Sequence, residues 1–83
     1  MGHSHNISLT DMFLNQVGRI QYRMESKLMP DTSRIKTIID AMPDDQKDDM
    51  AQILQQGTFT HPLTGRTRKI GQESATLIAP LLP

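Results

Sequence analysis

The chain contains no cysteine and no tryptophan, and its aromatic side chains are limited to two phenylalanines and one tyrosine. The lack of cysteine excludes disulfide bonds and thiolate metal sites. No apolar run approaches the ~20 residues that a membrane-spanning helix needs. The first residues also lack the apolar segment of a secretory signal peptide. These absences lead us to expect a cytoplasmic protein that does not enter a membrane.

Net charge is also absent, because nine basic residues balance nine acidic residues. A neutral chain has no long-range attraction for a polyanion, although local basic patches remain available. With 83 residues, the chain is long enough for one small domain, and such chains bury only about 60% of their unfolded surface. We predict a single helical domain at residues 8–83. Residues 1–7 are predicted to be a flexible N-terminus, either native or left over from cloning.

The first predicted helix spans residues 9–28. Ser8 is suited to cap it, and Asp11 lies in its first turn, where negative charge is favourable. Pro30 follows its end. Its apolar residues recur at spacings of three and four and so share one face: Leu9, Phe13, Val17, Ile20, Met24 and Leu28.

Two shorter helices are predicted at residues 32–42 and 43–56. Asp31 or Thr32 caps the first of them. The proline between the two helices ends one and begins the other, because proline is favourable at the first helical position. Gly57 is suited to end the third helix in a left-handed conformation.

The segment after the third helix is turn-rich and basic. Residues 58–60 favour a strand and can pair with residues 66–70, so a short hairpin and an irregular loop remain equal alternatives. A last helix is predicted at residues 72–79, ending at Pro80. The predicted fold is therefore mostly α: a small three- to four-helix bundle with a turn-rich loop or short hairpin before the C-terminal helix.

Catalytic and metal-binding motifs are not found in this sequence. It contains no nucleophile elbow, phosphate-binding loop or zinc-protease motif. The acidic run at residues 44–49, DDQKDD, lacks the spacing of a calcium-binding loop. His61 stands in a turn with no convergent partner in the sequence. We therefore expect a protein that is not an enzyme and that needs no cofactor or metal.

Six basic residues form two groups that raise the alternative of nucleic-acid binding. A spacing of four places the first group on one stripe of the first helix, and the second group lies just before the last helix. The two groups are Arg19, Arg23 and Lys27, and Arg66, Arg68 and Lys69. If they converge, they form a patch for phosphate or for an acidic protein. The scarcity of aromatic residues that could stack on bases favours an acidic protein over a nucleic acid as the ligand.

The preferred prediction is a protein-interaction module that binds through apolar helix faces, such as an adaptor, a chaperone-like subunit or an inhibitor of a larger machine. The apolar tail either folds back over the helices or projects outward to a partner or to a second copy of the chain. Tyr22 lies off the apolar stripe of the first helix and is suited to an interface. The predicted partner-binding residues are Tyr22, Leu77, Ile78, Leu81 and Leu82.

Overall fold

The computed structural model describes residues 8–61 and 64–82. Its elements follow in the order α1 (Leu9–Glu25), α2 (Ser33–Ala41), α3 (Asp44–Gln56), β1 (Thr58–Thr60), β2 (Thr67–Lys69), α4 (Gln72–Ile78) and a short 3₁₀-helix (Ala79–Leu81). The predicted mostly-α fold is confirmed, and of the two alternatives before the last helix the hairpin is the one present. The predicted flexible N-terminus lies outside the described residues.

Helix α1 begins as its sequence predicts but ends three residues early. The Ser8 Oγ accepts the Asp11 N–H at 3.1 Å. At the other end, Lys27 adopts a left-handed backbone with φ of 60°. The Lys27 N–H then donates to the Met24 carbonyl and the Leu28 N–H donates to the Arg23 carbonyl. This pair of bonds is a Schellman motif with lysine where glycine is usual, and it takes Leu28 out of the helix.

Caps and prolines place the next two helices within two residues of their predicted bounds. The Asp31 carboxylate accepts both the backbone N–H of Ser33 at 2.9 Å and its hydroxyl at 2.7 Å. Pro43 precedes α3, and Gly57 ends it with φ of 78°. Glycine adopts this left-handed conformation without strain because it has no β-carbon, and the chain turns directly into β1.

The hairpin is antiparallel and lies against the helices through one buried side chain. Thr58 pairs with Lys69 and Phe59 pairs with Arg68. Phe59 is buried, whereas the three residues of β2 are all exposed. The Ile70 N–H donates to the Gly57 carbonyl at 2.8 Å, which closes the base of the hairpin next to α3.

The core draws on every helix and on both ends of the hairpin. α1 contributes the buried centre of its apolar stripe, and the C-terminal tail folds back to complete the core rather than projecting outward. The buried apolar residues are Phe13, Val17, Ile20, Ile35, Ile39, Met42, Met50, Leu54, Phe59, Ile70, Ile78 and Leu82. Because a small domain has little apolar surface to hide, the tail supplies a needed part of its stability.

One buried polar contact joins α4 to α1. The Gln21 Oε1 accepts the Gly71 N–H at 2.8 Å and the Ser74 hydroxyl at 2.7 Å. The Gln21 Nε2 donates to Glu25 at 3.0 Å, which holds the amide in place. Ser74 is 1% exposed and is the only buried polar residue of the described chain. These bonds satisfy groups that would otherwise destabilise the core by about 1–3 kcal/mol each.

Substitution of Lys27 by glycine is expected to stabilise the fold. Glycine adopts a left-handed backbone without the ~1 kcal/mol cost that a β-carbon imposes there. The measurement is thermal unfolding followed by circular dichroism, where a gain of about 0.5–1 kcal/mol raises Tm by several degrees in a domain of this size. Lys27→Ala is the control, because it removes the charge and keeps the strain. Equal Tm values for the two variants would contradict the prediction.

Two glycine-to-alanine substitutions are expected to act in opposite directions. At Gly71, a Cβ would stand 3.1 Å from both amide atoms of Gln21, and that amide is fixed by three hydrogen bonds. Gly71→Ala should therefore lower stability by about 1–2 kcal/mol. At Gly18, a Cβ meets only ordinary contacts at 3.7 and 3.8 Å, so Gly18→Ala should gain helix propensity of up to ~1 kcal/mol. Urea unfolding of both variants measures the difference, and a stable Gly71→Ala variant would contradict it.

Candidate functional site

A cavity of about 350 Å³ lies between α1 and the β1–β2 hairpin. We call it the α1–hairpin cavity. Its volume is near the lower end of the range of about 300–1,000 Å³ that is typical of ligand pockets. Basic, aromatic and apolar side chains share its lining, and those that bear on its chemistry are Arg19, Tyr22, Arg23, Leu28, His61 and Arg68.

Helical spacing explains which residues of α1 reach this cavity. Arg19, Tyr22 and Arg23 are separated by three and four positions or are adjacent, so they lie together on a face beside the buried stripe of Val17 and Ile20. All three are exposed. This face carries charge and one aromatic ring because it is not needed for the core.

Gly18 lets the hairpin approach this face closely. The nearest atoms to a Cβ built at this position would be His61 Cδ2 at 3.7 Å and Phe59 Cζ at 3.8 Å. A larger side chain at Gly18 would therefore push against both of these rings. A methyl group would fit at this position, whereas a longer side chain would separate α1 from the hairpin.

The turn beside the cavity is held by hydrogen bonds around His61. Its backbone N–H donates to the Arg66 carbonyl and its carbonyl accepts the Gly65 N–H, both at 2.8 Å. Its ring Nδ1 accepts the Thr64 N–H at 3.4 Å. Gly65 takes a left-handed conformation with φ of 71°, as the tight turn requires. The imidazole is thereby fixed at the cavity wall.

The two basic groups of the sequence meet in part. Arg19 and Arg23 from α1 line the α1–hairpin cavity together with Arg68 from β2. Arg66 and Lys69 instead line a separate cavity of about 320 Å³ beside Gln21 and Glu25. Lys27 lines neither of these two cavities. Three of the six predicted basic residues therefore converge on one site.

A second small cavity extends the basic surface toward α2. Its volume is about 140 Å³, and Arg19 and Arg23 line it together with Asp31 and Arg34. Arg34 was not predicted as a site residue, because its proximity to α1 depends on how α1 and α2 pack. The three arginines outnumber the one carboxylate of this cavity, so its lining has a net positive charge.

The predicted partner-binding residues fall into three classes of exposure. Tyr22 is 65% exposed, whereas Leu77 and Leu81 are half-buried against the core. Ile78 is 0% exposed and Leu82 is 9% exposed. These two side chains are not accessible to a partner in this conformation, because the tail packs into the core. Their contact with a partner stays a prediction that would require the tail to leave its place.

Exposed apolar side chains lie instead around the end of α1. Leu28 is 50% exposed and Met29 is 84% exposed. The sequence analysis placed Leu28 on the buried face of a longer first helix, and the Schellman motif at Lys27 is the reason that it is not buried there. Tyr22 and Leu28 line the α1–hairpin cavity and give its rim an apolar component, and Met29 follows Leu28 in the chain.

Across the described ranges 8–61 and 64–82, one ion pair is found, between Lys47 and Asp44 at 3.8 Å. The acidic residues of the segment 40–49 are all exposed, and none of them lines the α1–hairpin cavity. In the same described ranges no group of three or more His, Cys, Asp or Glu residues could hold a metal ion. No helix there has both the length and the apolar character that a membrane span requires.

Comparison with known proteins gives no match to a family model, to a curated protein or to a solved structure. The candidate site is therefore interpreted from the chemistry of its own residues.

The pKa of Asp31 is expected to rise when its hydrogen-bond donors are removed. The Ser33 hydroxyl, followed by the Ser33 backbone N–H, lowers the pKa of this carboxyl below its ordinary value, and Arg23 and Arg34 add to the effect. Such a carboxylate stabilises the folded state above its unfolded pKa, and this stability is lost as the pH falls through the folded value. Carboxyl ¹³C shifts followed through an acid titration should show a higher pKa in Ser33→Ala. An unchanged value would contradict the assignment.

Proposed function

We propose that the chain is a non-enzymatic module that binds another protein through the α1–hairpin cavity and its apolar rim. The observation that carries this proposal is the exposure of Tyr22, Leu28 and Met29 at one end of α1. Three large apolar side chains grouped on such a small protein are typical of an interaction site. Tyrosine and methionine are also enriched in interface cores.

In the proposed mechanism, apolar side chains supply the affinity for the partner and charged side chains set its orientation. Burial of apolar side chains supplies about 25 cal/mol for each Å² removed from water, while the arginines around the cavity set the approach and the register of the partner. A module of this kind suits an adaptor, a chaperone-like subunit or an inhibitor that regulates a larger cytoplasmic machine. The described lining supplies cations, apolar groups and the imidazole of His61 but no carboxylate, and this composition favours binding over acid–base catalysis.

Nucleic-acid binding is a second candidate, and one observation favours it. Arg19, Arg23 and Arg68 converge beside Tyr22, and guanidinium groups with an aromatic ring are a common surface for single strands. Against it, Phe13 and Phe59 are both buried, so Tyr22 is the exposed stacking platform among the phenylalanine and tyrosine residues. The exposed carboxylates of the segment 40–49 also repel a polyanion.

Affinity purification from native cell extract, with and without nuclease, tests the proposal. The wild-type chain is expected to capture a stoichiometric protein that survives nuclease treatment. The double variant Tyr22→Ala, Leu28→Ala should lose this protein, because both side chains are exposed and both line the α1–hairpin cavity. Met12→Ala is the matched control, since Met12 is an exposed apolar residue of α1 that does not line the α1–hairpin cavity.

Two results would contradict the proposal. Capture that collapses on nuclease treatment would establish the nucleic-acid candidate in its place. Equal capture by all three proteins would show that the partner binds elsewhere. Circular dichroism of each variant checks that helicity is retained, and light scattering reports whether the captured partner is a second copy of the chain. Leu82→Asp is unsuitable for this test, because Leu82 is part of the core and its loss would confuse unfolding with loss of binding.

A further inference from the structure

The guanidinium groups around the α1–hairpin cavity are available to an external ligand. Neither Arg19 nor Arg68 forms a side-chain hydrogen bond or an ion pair with another described residue. Arg23 donates to the Met29 carbonyl at 3.1 Å, which is a neutral acceptor, and the carboxylate of Asp31, which interacts with Arg23 electrostatically, lies outside the α1–hairpin cavity. A cluster of cations with no carboxylate in the same cavity favours an anionic ligand, because each added carboxylate relieves repulsion as well as forming a bond.

Two carboxylates of the chain, Glu25 and Asp31, are close in sequence to these arginines, but both accept hydrogen bonds from other residues. Glu25 accepts from Gln21 at 3.0 Å, and Asp31 accepts twice from Ser33. No acidic residue is among the described residues that line the cavity. The three guanidinium groups of the lining are therefore not balanced by a carboxylate within the cavity.

The same site also asks for an apolar group. Leu28 and Tyr22 line the cavity, and the 84% exposed side chain of Met29 follows Leu28 in the chain. A bare phosphate or a sugar would leave these side chains in water. A polypeptide that alternates carboxylates with an apolar side chain satisfies both parts of the surface.

From this juxtaposition we infer that the α1–hairpin cavity binds an acidic protein segment whose carboxylates flank an apolar anchor. The inference rests on the proposed function and specifies the chemistry of its partner. The anchor contacts Leu28 and Tyr22, while the carboxylates pair with Arg19 and Arg68. Arginine suits this role because its planar guanidinium group donates two parallel hydrogen bonds to one carboxylate.

A second copy of the chain fits this site less well. Its own acidic segment, DDQKDD at residues 44–49, offers exposed carboxylates. However, the apolar residues of the same helix, Met50 and Leu54, are 4% and 6% exposed. This acidic segment of a second copy therefore presents charge without an accessible apolar anchor on the same helix, which favours a different protein as the partner.

Fluorescence anisotropy with three labelled synthetic peptides tests this inference on the full chain. The first peptide places leucines between glutamates, the second replaces each glutamate by glutamine, and the third replaces each leucine by serine. The first peptide should bind, and the affinity of each of the other two should be lower by a factor of about ten or more. Arg68→Glu should weaken binding of the first peptide by a similar factor. Lys36→Glu is the matched control, because it makes the same change in net charge at an exposed residue of α2 and should have no effect.

Several outcomes would overturn the inference, and they separate it from the proposed function. Equal binding of the glutamine peptide, or no binding of any peptide, would contradict the inference that the partner is acidic. The proposed function would still be decided separately, by the capture of a cellular protein. Tighter binding of oligothymidylate than of the first peptide, with a steep loss at high salt, would count against both. Self-association that Arg68→Glu abolishes would identify a second copy as the occupant instead.

Discussion

The hydrogen bonds that the Gln21 side chain accepts from Gly71 and Ser74 are the constraint on which the rest of the molecule depends. They join the middle of α1 to the start of α4, and they are partly buried, with Ser74 itself almost fully buried. One residue, Ile70, separates Gly71 from the end of β2. The same contact therefore also fixes where the hairpin leaves the bundle. The position of Arg68 relative to Arg19 is therefore set by a side chain that does not line the cavity.

Helix α1 serves three neighbours with three parts of its surface. Its apolar stripe fills the core, Gln21 holds α4, and Arg19, Tyr22 and Arg23 remain for a ligand. A 17-residue helix makes nearly five turns, which gives enough surface for these three sets of contacts. The sequence of this one helix thus determines both the packing of the domain and the chemistry of its candidate site. The other helices mainly supply the walls.

Local signals allowed much of the fold to be predicted from sequence. Ser8, Gly57 and the prolines act within a few residues of themselves, so the helix bounds followed from the chain alone. The early end of α1 was missed, because a lysine rather than a glycine adopts the left-handed position at its end. The fate of the tail could not be decided, since apolar residues beyond a proline are equally compatible with packing and with projection.

The candidate site was predictable only in its parts. Spacing along α1 grouped Arg19 with Arg23, but their meeting with Arg68 depends on tertiary packing across the chain. The same packing separated Arg66 and Lys69 from the cavity and brought Arg34 to its edge. Leu28 reached the site because of one backbone conformation at Lys27. Contacts between distant segments leave no periodic pattern in a sequence, and these contacts define the site.

The long reach of the Gln21 contact has a consequence for the order of events during synthesis. Gln21 and Ser74 are 53 residues apart, so α1 leaves the ribosome long before its partner helix has been translated. Until then the arginines of α1 have no hairpin beside them, and Ile78 and Leu82 are not yet available to the core. The candidate site therefore takes its final form only after α4 has been made, although its own residues precede α4 in the chain. A copy that stops before α4 would keep the basic stripe of α1 but lack the contact that fixes the hairpin beside it.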